Sequence, residues 1–171
     1  MTASLADYTQ YVCEVLGARE VLLPAQEDLP VTALAGLGHA VGGNLPAAQE
    51  FDLLVLHEGS GLIGEASGEL WQKMKSAMNL GAARVFEFEA TDPDVESTLQ
   101  TLLEVYPAKV ALLLLKAPAR MDGFRSLGTA KVIETFRPEM ILQTPDLKRS
   151  VWRDLQHAMG ALQTAVESKR S

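Results

Sequence analysis

The sequence predicts a single three-layer α/β/α domain, residues 1–171, with helices on both faces of a mostly parallel central sheet. Its length is sufficient for one buried core, and a content of 47% hydrophobic against 22% charged residues excludes a disordered chain. Apolar runs of strand length alternate with helical patterns, and the middle runs are too continuous for one face to meet water. Buried strands in such an alternation are typical of parallel crossover connections.

Strands and helices are predicted in turn along most of the chain. Runs bounded by Gly, Pro or Asp indicate five strands, Glu20–Leu23, Asp52–His57, Arg84–Glu89, Lys109–Leu115 and Glu139–Gln143. Helical patterns lie between them at Ser4–Leu16, Ser67–Leu80 and Pro93–Val105. Ser67 and Asp92 are the predicted N-caps of the second and third helices, and proline follows Asp92 at the first helical position. Asp122–Lys131 is too irregular for an element to be assigned.

The last predicted helix, residues 145–168, has the clearest pattern. Thr144 is its predicted cap and Pro145 its first residue, and apolar residues then recur at helical spacing. Most of this apolar stripe is expected to pack on the sheet. Leu162 and Val166 continue the stripe towards the C-terminus, and we predict that they form a surface for a protein partner.

Leu29–Glu50 is the least regular stretch of the chain. It contains four glycines and two prolines and almost no charge. Such a composition predicts a flexible loop rather than a ligand cradle.

Charge and cysteine content limit the class of protein. The net charge of −7 argues against a protein that holds nucleic acid over a broad surface, so weak or no nucleic-acid binding is expected. The segment from Thr144 to Ser171 nevertheless carries five basic and three acidic residues, a net charge of +2. The lone Cys13 cannot form an internal disulfide, and no apolar run approaches the ~20 residues of a membrane span. With no signal-peptide pattern, these features predict a cytoplasmic protein.

Two patterns near the end of the second predicted strand are candidates for a binding or catalytic site. Gly59, Gly61 and Gly64 match the G-x-G-x-x-G pattern of dinucleotide sites, where Glu87 or Glu89 on the next strand would hold a ribose. However, the third glycine of that motif belongs inside the helix, whereas Gly64 precedes the predicted cap. His57 and Glu58 are adjacent in sequence and could supply a general base. No spacing of His, Cys, Asp and Glu indicates a metal site.

Two segments of the chain resemble the signature segments of one enzyme family. Asp52–Leu80 reads D-L-L-V-L-H-E-G-S-G-L-I-G-E-A-S-G-E-L-W-Q-K-M-K-S-A-M-N-L, and Phe136–Leu155 reads F-R-P-E-M-I-L-Q-T-P-D-L-K-R-S-V-W-R-D-L. Together they resemble the uracil-DNA glycosylase superfamily, whose second segment reads roughly H-P-S-x-L-L-R-x-P-x-L-K-x-x-x-W-x-D-L. The matches in the second segment are Pro138, Leu142, Pro145, Leu147, Lys148, Trp152, Asp154 and Leu155. The resemblance implies a glycosylase-like fold, and a DNA-facing or ligand-facing loop at His57, Glu58, Gly59, Ser60 and Gly61.

The catalytic residues of that family are missing from this chain. Arg137 stands where the family has the histidine that stabilises charge on the uracil, and Glu139 stands where a serine contacts the DNA backbone. Gly61 runs directly into Leu62, so the segment that positions the attacking water is absent. Some branches bind an iron–sulfur cluster through four cysteines, which Cys13 alone cannot do. We therefore expect no cofactor and no catalytic residue of this family.

A non-catalytic role follows as the leading interpretation of the resemblance. The chain is also similar to the psi-subunit family of the bacterial DNA polymerase III clamp loader, in its size and in the segment Leu16–Pro24. That similarity implies an interaction subunit in DNA replication or repair, with a protein partner. A divergent uracil-DNA glycosylase or nucleic-acid-binding relative is the first alternative. A nucleotide-binding enzyme that uses Gly59, Gly61 and Gly64 is the second.

Overall fold

A computed structural model describes residues 33–59, 64–81, 83–119 and 123–167. The strands are β1 (Gly38–Ala40), β2 (Phe51–Glu58), β3 (Val85–Ala90), β4 (Ala108–Leu115), β5 (Arg125–Leu127) and β6 (Ala130–Phe136). The helices are α1 (Glu65–Ala77), α2 (Val95–Val105), α3 (Pro138–Gln143) and α4 (Lys148–Glu167), and a 3-10 turn at Pro145–Leu147 precedes α4. Helices and strands therefore alternate through most of the described chain.

The six strands form one mixed sheet in the order β1-β3-β2-β4-β6-β5. The four central strands are parallel, and the short strands β1 and β5 add antiparallel edges. Residues Leu53–Leu56 of β2 are completely buried, as their continuous apolar run predicts for a central strand. The chain passes from β2 to β3 on one side and later to β4 on the other, so the direction of winding reverses between β2 and β4.

Helices cover both faces of the sheet, which confirms the predicted three-layer α/β/α architecture. Leu99 and Leu102 of α2 pack on one face, together with Phe86 and Phe88 of β3. The other face is covered by α1, α3 and α4, through Trp71, Ile141, Val151 and Leu155, among others. Each face thus has its own hydrophobic cluster.

The segment around residue 137 differs most from the prediction. Glu139–Gln143, predicted as a strand, belongs to helix α3, which begins with Pro138 at its first position. A short apolar run is ambiguous between strand and helix, and only one side of this helix, with Ile141, is buried. The strand that precedes it, β6, was not predicted, because Lys131 and Glu134 interrupt its apolar pattern.

Two predicted helix caps are displaced by two or three residues. Helix α1 begins at Glu65 with Gly64 at the N-cap position, so Ser67 lies inside the helix and is buried. Helix α2 begins after Asp94, whose carboxylate accepts a hydrogen bond from the Ser97 backbone N–H at 3.0 Å. The cap is thus two residues later than the predicted Asp92.

Part of Leu29–Glu50, predicted as a flexible loop, joins the sheet. Strand β1 lies within it, and a Cβ atom at Gly38 would lie 2.0 Å from the Glu89 carbonyl oxygen. This glycine is therefore required by close approach to β3 rather than by flexibility. The Tyr106 hydroxyl donates a 2.7 Å hydrogen bond to the Pro46 carbonyl and anchors the segment further.

The predicted last helix is confirmed as the 3-10 turn at Pro145–Leu147 followed by α4, which ends at Glu167. The predicted elements Ser4–Leu16 and Glu20–Leu23 lie outside the described residues, as does Cys13.

Candidate functional site at the carboxyl edge of the sheet

Parallel strands bring the two family-like segments to one edge of the sheet. β2 ends at Glu58, β4 at Leu115 and β6 at Phe136, and their carboxyl ends lie side by side. In open α/β sheets this edge, where the winding reverses, is the usual place for a ligand. The residues that follow these strands are therefore the candidate site.

Arg137 connects the ends of the three strands. Its backbone N–H donates to the Leu115 carbonyl at 2.9 Å, and its Nη1 donates to the Glu58 carbonyl at 2.6 Å. Nη2 forms an ion pair with the Glu139 carboxylate. The side chain is only 5% exposed, and its Nε has no hydrogen-bond partner among the described residues. The guanidinium group is thus held by β2 and by the first turn of α3.

The predicted loop after β2 has a structural role in its described part. The Glu58 carboxylate accepts a 2.6 Å hydrogen bond from the Lys116 backbone N–H, which ties β2 to the end of β4. Gly59 has φ +65°, a left-handed conformation that glycine adopts without strain. Ser60 and Gly61 lie outside the described residues.

A shallow cleft of about 420 Å³ opens beside Arg137, lined by Ser67, Arg137, Glu139, Leu142 and Gln143. Its single cation is already paired with its single carboxylate. The remaining lining consists of a hydroxyl, an amide and an aliphatic side chain. This set matches neither a nucleophile with a base nor a pair of catalytic carboxylates.

His57 and Glu58 do not form the general-base pair that their adjacency suggests. Successive side chains of a strand point to opposite faces of the sheet. His57 is completely buried under α1, with its ring edge-on to Trp71 at 5.5 Å between centroids. A histidine in this position is out of reach of a substrate.

A largely buried polar cluster beside His57 was not predicted. Glu87 of β3 accepts hydrogen bonds from Trp71 Nε1 at 2.9 Å and from Lys75 Nζ at 2.6 Å, both on α1. His57 Nε2 lies 3.7 Å from the same carboxylate. Burial by itself raises the pKa of Glu87, but the effects of His57, Lys75 and Trp71 outweigh it and lower the pKa to about 2. The cluster holds α1 against the sheet.

The alternation of β3 is the signal from which this cluster could have been found. The strand reads V-F-E-F-E-A, so both glutamates point to one face of the sheet, the face that α1 covers. In a sheet covered on both faces, a charged residue requires a partner on the covering helix.

The described residues do not favour the dinucleotide-binding alternative, and Gly61 of its motif lies outside them. Gly64 lies before α1, and a Cβ atom added there would meet nothing within 4 Å, so no close helix–strand contact requires glycine. Glu87 is engaged by Trp71 and Lys75. The Glu89 carboxylate lies 2.8 Å from His39 Nε2. Both candidates for the ribose are therefore already occupied.

Leu162 does not form the predicted partner surface. Its side chain is 7% exposed and packs in the hydrophobic cluster beneath α4. The apolar stripe continues because the sheet continues beneath it. The side chain of Val166 lies outside the described residues.

A second buried polar pair fixes the start of α4. Thr135 of β6 donates a 2.7 Å hydrogen bond to Asp154 Oδ2, and both residues are buried. Val151 and Leu155 are buried on the same side of the helix. Asp154, one of the residues that match the family-like segment, therefore orients α4 on the sheet.

Comparisons add no relative for this chain. No protein-family model matches it, and no curated protein matches its sequence. Within residues 33–59, 64–81, 83–119 and 123–167, no group of three or more His, Cys, Asp or Glu side chains is arranged to hold a metal ion. No helix in the same described ranges is long and apolar enough to span a membrane.

Proposed function

We propose that this chain is a cytoplasmic, non-catalytic protein with a uracil-DNA glycosylase-like fold that serves as an interaction subunit in DNA replication or repair, like the psi subunits. The observation that carries the proposal is the state of Arg137. This residue occupies the place of the family's catalytic histidine, and its guanidinium group is buried between the Glu58 carbonyl and the Glu139 carboxylate. The position is used to hold the strand ends together.

The contact between the two family-like segments supports the proposed fold relationship. Glu58 and Arg137 are 79 positions apart in the chain, yet a direct hydrogen bond joins them. The first segment includes most of β2, and the second begins at the last residue of β6, two places away in the sheet. Motifs that resemble one family are expected to meet in space if they derive from one site.

The electrostatics of this edge support the absence of catalysis. Cleavage of a glycosidic bond requires a group that stabilises the negative charge developing on the leaving base. Nη1 and Nη2 of Arg137 are already engaged by the Glu58 carbonyl and the Glu139 carboxylate, and the ion pair with Glu139 weakens the positive charge that Arg137 could offer to such a base. His57, which precedes Glu58 in the sequence, is buried under α1 and faces Glu87.

We expect that the protein does not excise uracil. Loss of one electrostatic stabiliser in such a site costs on the order of a hundredfold or more in rate. Single-stranded and double-stranded uracil DNA should yield no alkali-labile sites above a protein-free control, with the wild type and with Arg137→Ala alike. Robust cleavage by the wild type that disappeared in Arg137→Ala would contradict the proposal, because it would make this arginine catalytic.

We also expect replication or repair proteins to co-purify with the tagged full-length chain from its native host. Purification in the presence of nuclease excludes association through DNA, and quantitative mass spectrometry against an untagged strain measures enrichment. A reproducible set of partners from an unrelated process, with no replication or repair protein among them, would refute the proposed role even if uracil excision is absent.

A further inference from the structure

We infer that the first two turns of α4 bind an acidic, partly apolar peptide segment of a protein partner. The residues concerned are Lys148, Arg149, Trp152 and Arg153, here named the Trp152 face. The inference rests on the proposed function in one respect, since a chain without catalysis acts through its partners. It names the chemistry that one such partner presents.

Trp152 is exposed although the helix that carries it is firmly packed. The opposite side of α4 is fixed by buried Val151 and Leu155 and by the bond between Thr135 and Asp154. The indole is nevertheless 39% exposed, and four large hydrophobic side chains in total are exposed among the described residues. An indole combines a large apolar surface with an N–H donor, which explains the enrichment of tryptophan in protein interfaces.

Positive charge surrounds this indole. Lys148 and Arg149 precede Trp152 by four and three positions, so they lie on the same side of the helix, and both are exposed. Neither residue forms an ion pair with another described residue. Cations in the first turn of a helix are also unfavourable for its dipole, so these two do not stabilise α4. Arg153, likewise exposed, adds a third cation.

Charge complementarity selects an acidic partner. The whole chain carries −7, whereas Lys148, Arg149 and Arg153 bring three positive charges to this face, with Asp146 as the exposed carboxylate next to them in the chain. An acidic segment is therefore repelled by most of the protein and attracted to this face. An apolar side chain of the same segment then packs on the indole. Carboxylates on the cations and an aliphatic or aromatic residue on Trp152 together match the composition of the surface.

A peptide fits this face better than single-stranded nucleic acid does. Single strands are held by a basic groove that follows the backbone and by several aromatic platforms for successive bases. The Trp152 face has one aromatic side chain and lies on a convex helix.

Selection of random peptides displayed on phage against the immobilised full-length chain tests the inference. We expect the enriched peptides to combine Asp or Glu with a large apolar residue. A labelled synthetic copy of the most enriched peptide should bind about tenfold or more weakly to Trp152→Ala, and to Lys148→Glu with Arg149→Glu, than to the wild type. Its affinity should also fall as salt is raised. Equal thermal melting of the variants and the wild type verifies that the fold is intact.

Phe124 and Lys131 provide a matched control. Phe124 is another exposed aromatic residue, and Lys131 Nζ lies 4.9 Å from the centre of its ring. Phe124→Ala with Lys131→Glu should leave peptide binding unchanged. A selection that enriches peptides without Asp or Glu, or a peptide that binds all variants with equal affinity, would overturn the inference. Oligothymidylate that binds more tightly than the peptide and displaces it would also overturn the inference, and would indicate a nucleic-acid surface. If only this test fails and replication or repair proteins still co-purify, the proposed function stands without this surface.

Discussion

Replacement of Leu162 by aspartate is expected to lower the free energy of unfolding by about 3–5 kcal/mol, which is a large part of the stability of a domain of this size. The leucine is 7% exposed and packs with Ala158 and Ala161 of α4 in the cluster that covers the sheet. The substitution removes its apolar contacts and also places a carboxylate within a hydrophobic cluster. Urea denaturation followed by circular dichroism measures the change.

Gln163→Asp is the control for this substitution, because Gln163 is the next residue of the same helix and is exposed. It introduces the same charge and the same change in helix propensity without burial, and should shift stability by less than about 0.5 kcal/mol. Similar midpoints for the two variants would show that Leu162 is dispensable to the core. The residue would then again be a candidate for a partner surface.

The comparison of Leu162 with Trp152 shows what an apolar pattern in sequence leaves open. Both residues lie on α4, and the helical stripe was predicted correctly as the side that packs on the sheet. The length of the sheet beneath the helix is not encoded in the helix itself, so the point at which the stripe leaves the core could not be inferred. Leu162 remains over the sheet, whereas Trp152 lies beside the stripe and is exposed.

The parallel strands were predictable where their apolar runs are continuous. β2, β3 and β4 match the predicted strands to within one residue at each end. β6 was not predicted because Lys131 and Glu134 interrupt its apolar pattern. The strand lies next to the edge strand β5, where Arg125 pairs with Glu134 at 3.2 Å. The short run Glu139–Gln143, with one charged residue, predicts a strand instead. Its helical state depends on the turn at Arg137, which is fixed by contacts distant in sequence.

The resemblance assigns Glu58 and Arg137 to two separate signature segments, and a hydrogen bond joins the two residues. Sequence could not indicate that the Arg137 side chain is buried and paired with Glu139, because this depends on the first turn of α3. The Glu87 cluster could not be inferred either, because its members come from three separate elements. They meet only when α1 packs on the sheet.

Glu87 is expected to make the stability of the protein fall steeply in acid. Its pKa is about 2 in the folded protein against an ordinary value of 4.5. Between these values the unfolded chain binds a proton at this position and the folded protein does not, so lowering the pH favours unfolding. The stabilisation by the ionised carboxylate is therefore complete above about pH 4.5 and is lost progressively as the pH falls towards 2. Urea midpoints measured between neutral pH and pH 3 follow this loss.

Glu87→Gln separates this contribution from that of the other carboxylates. The amide cannot ionise, and it leaves the Lys75 ammonium without its 2.6 Å anionic partner. At neutral pH we expect the variant to be less stable than the wild type by roughly 2–3 kcal/mol, the cost of breaking a largely buried charged contact. The difference between the two proteins should shrink in acid, because protonation of Glu87 produces the same neutral state. Glu104→Gln on the exposed side of α2 is the matched control, and its difference from the wild type should be small throughout. A gap between Glu87→Gln and the wild type that is independent of pH would mean that the cluster acts through packing and hydrogen bonds alone, without the charge of Glu87.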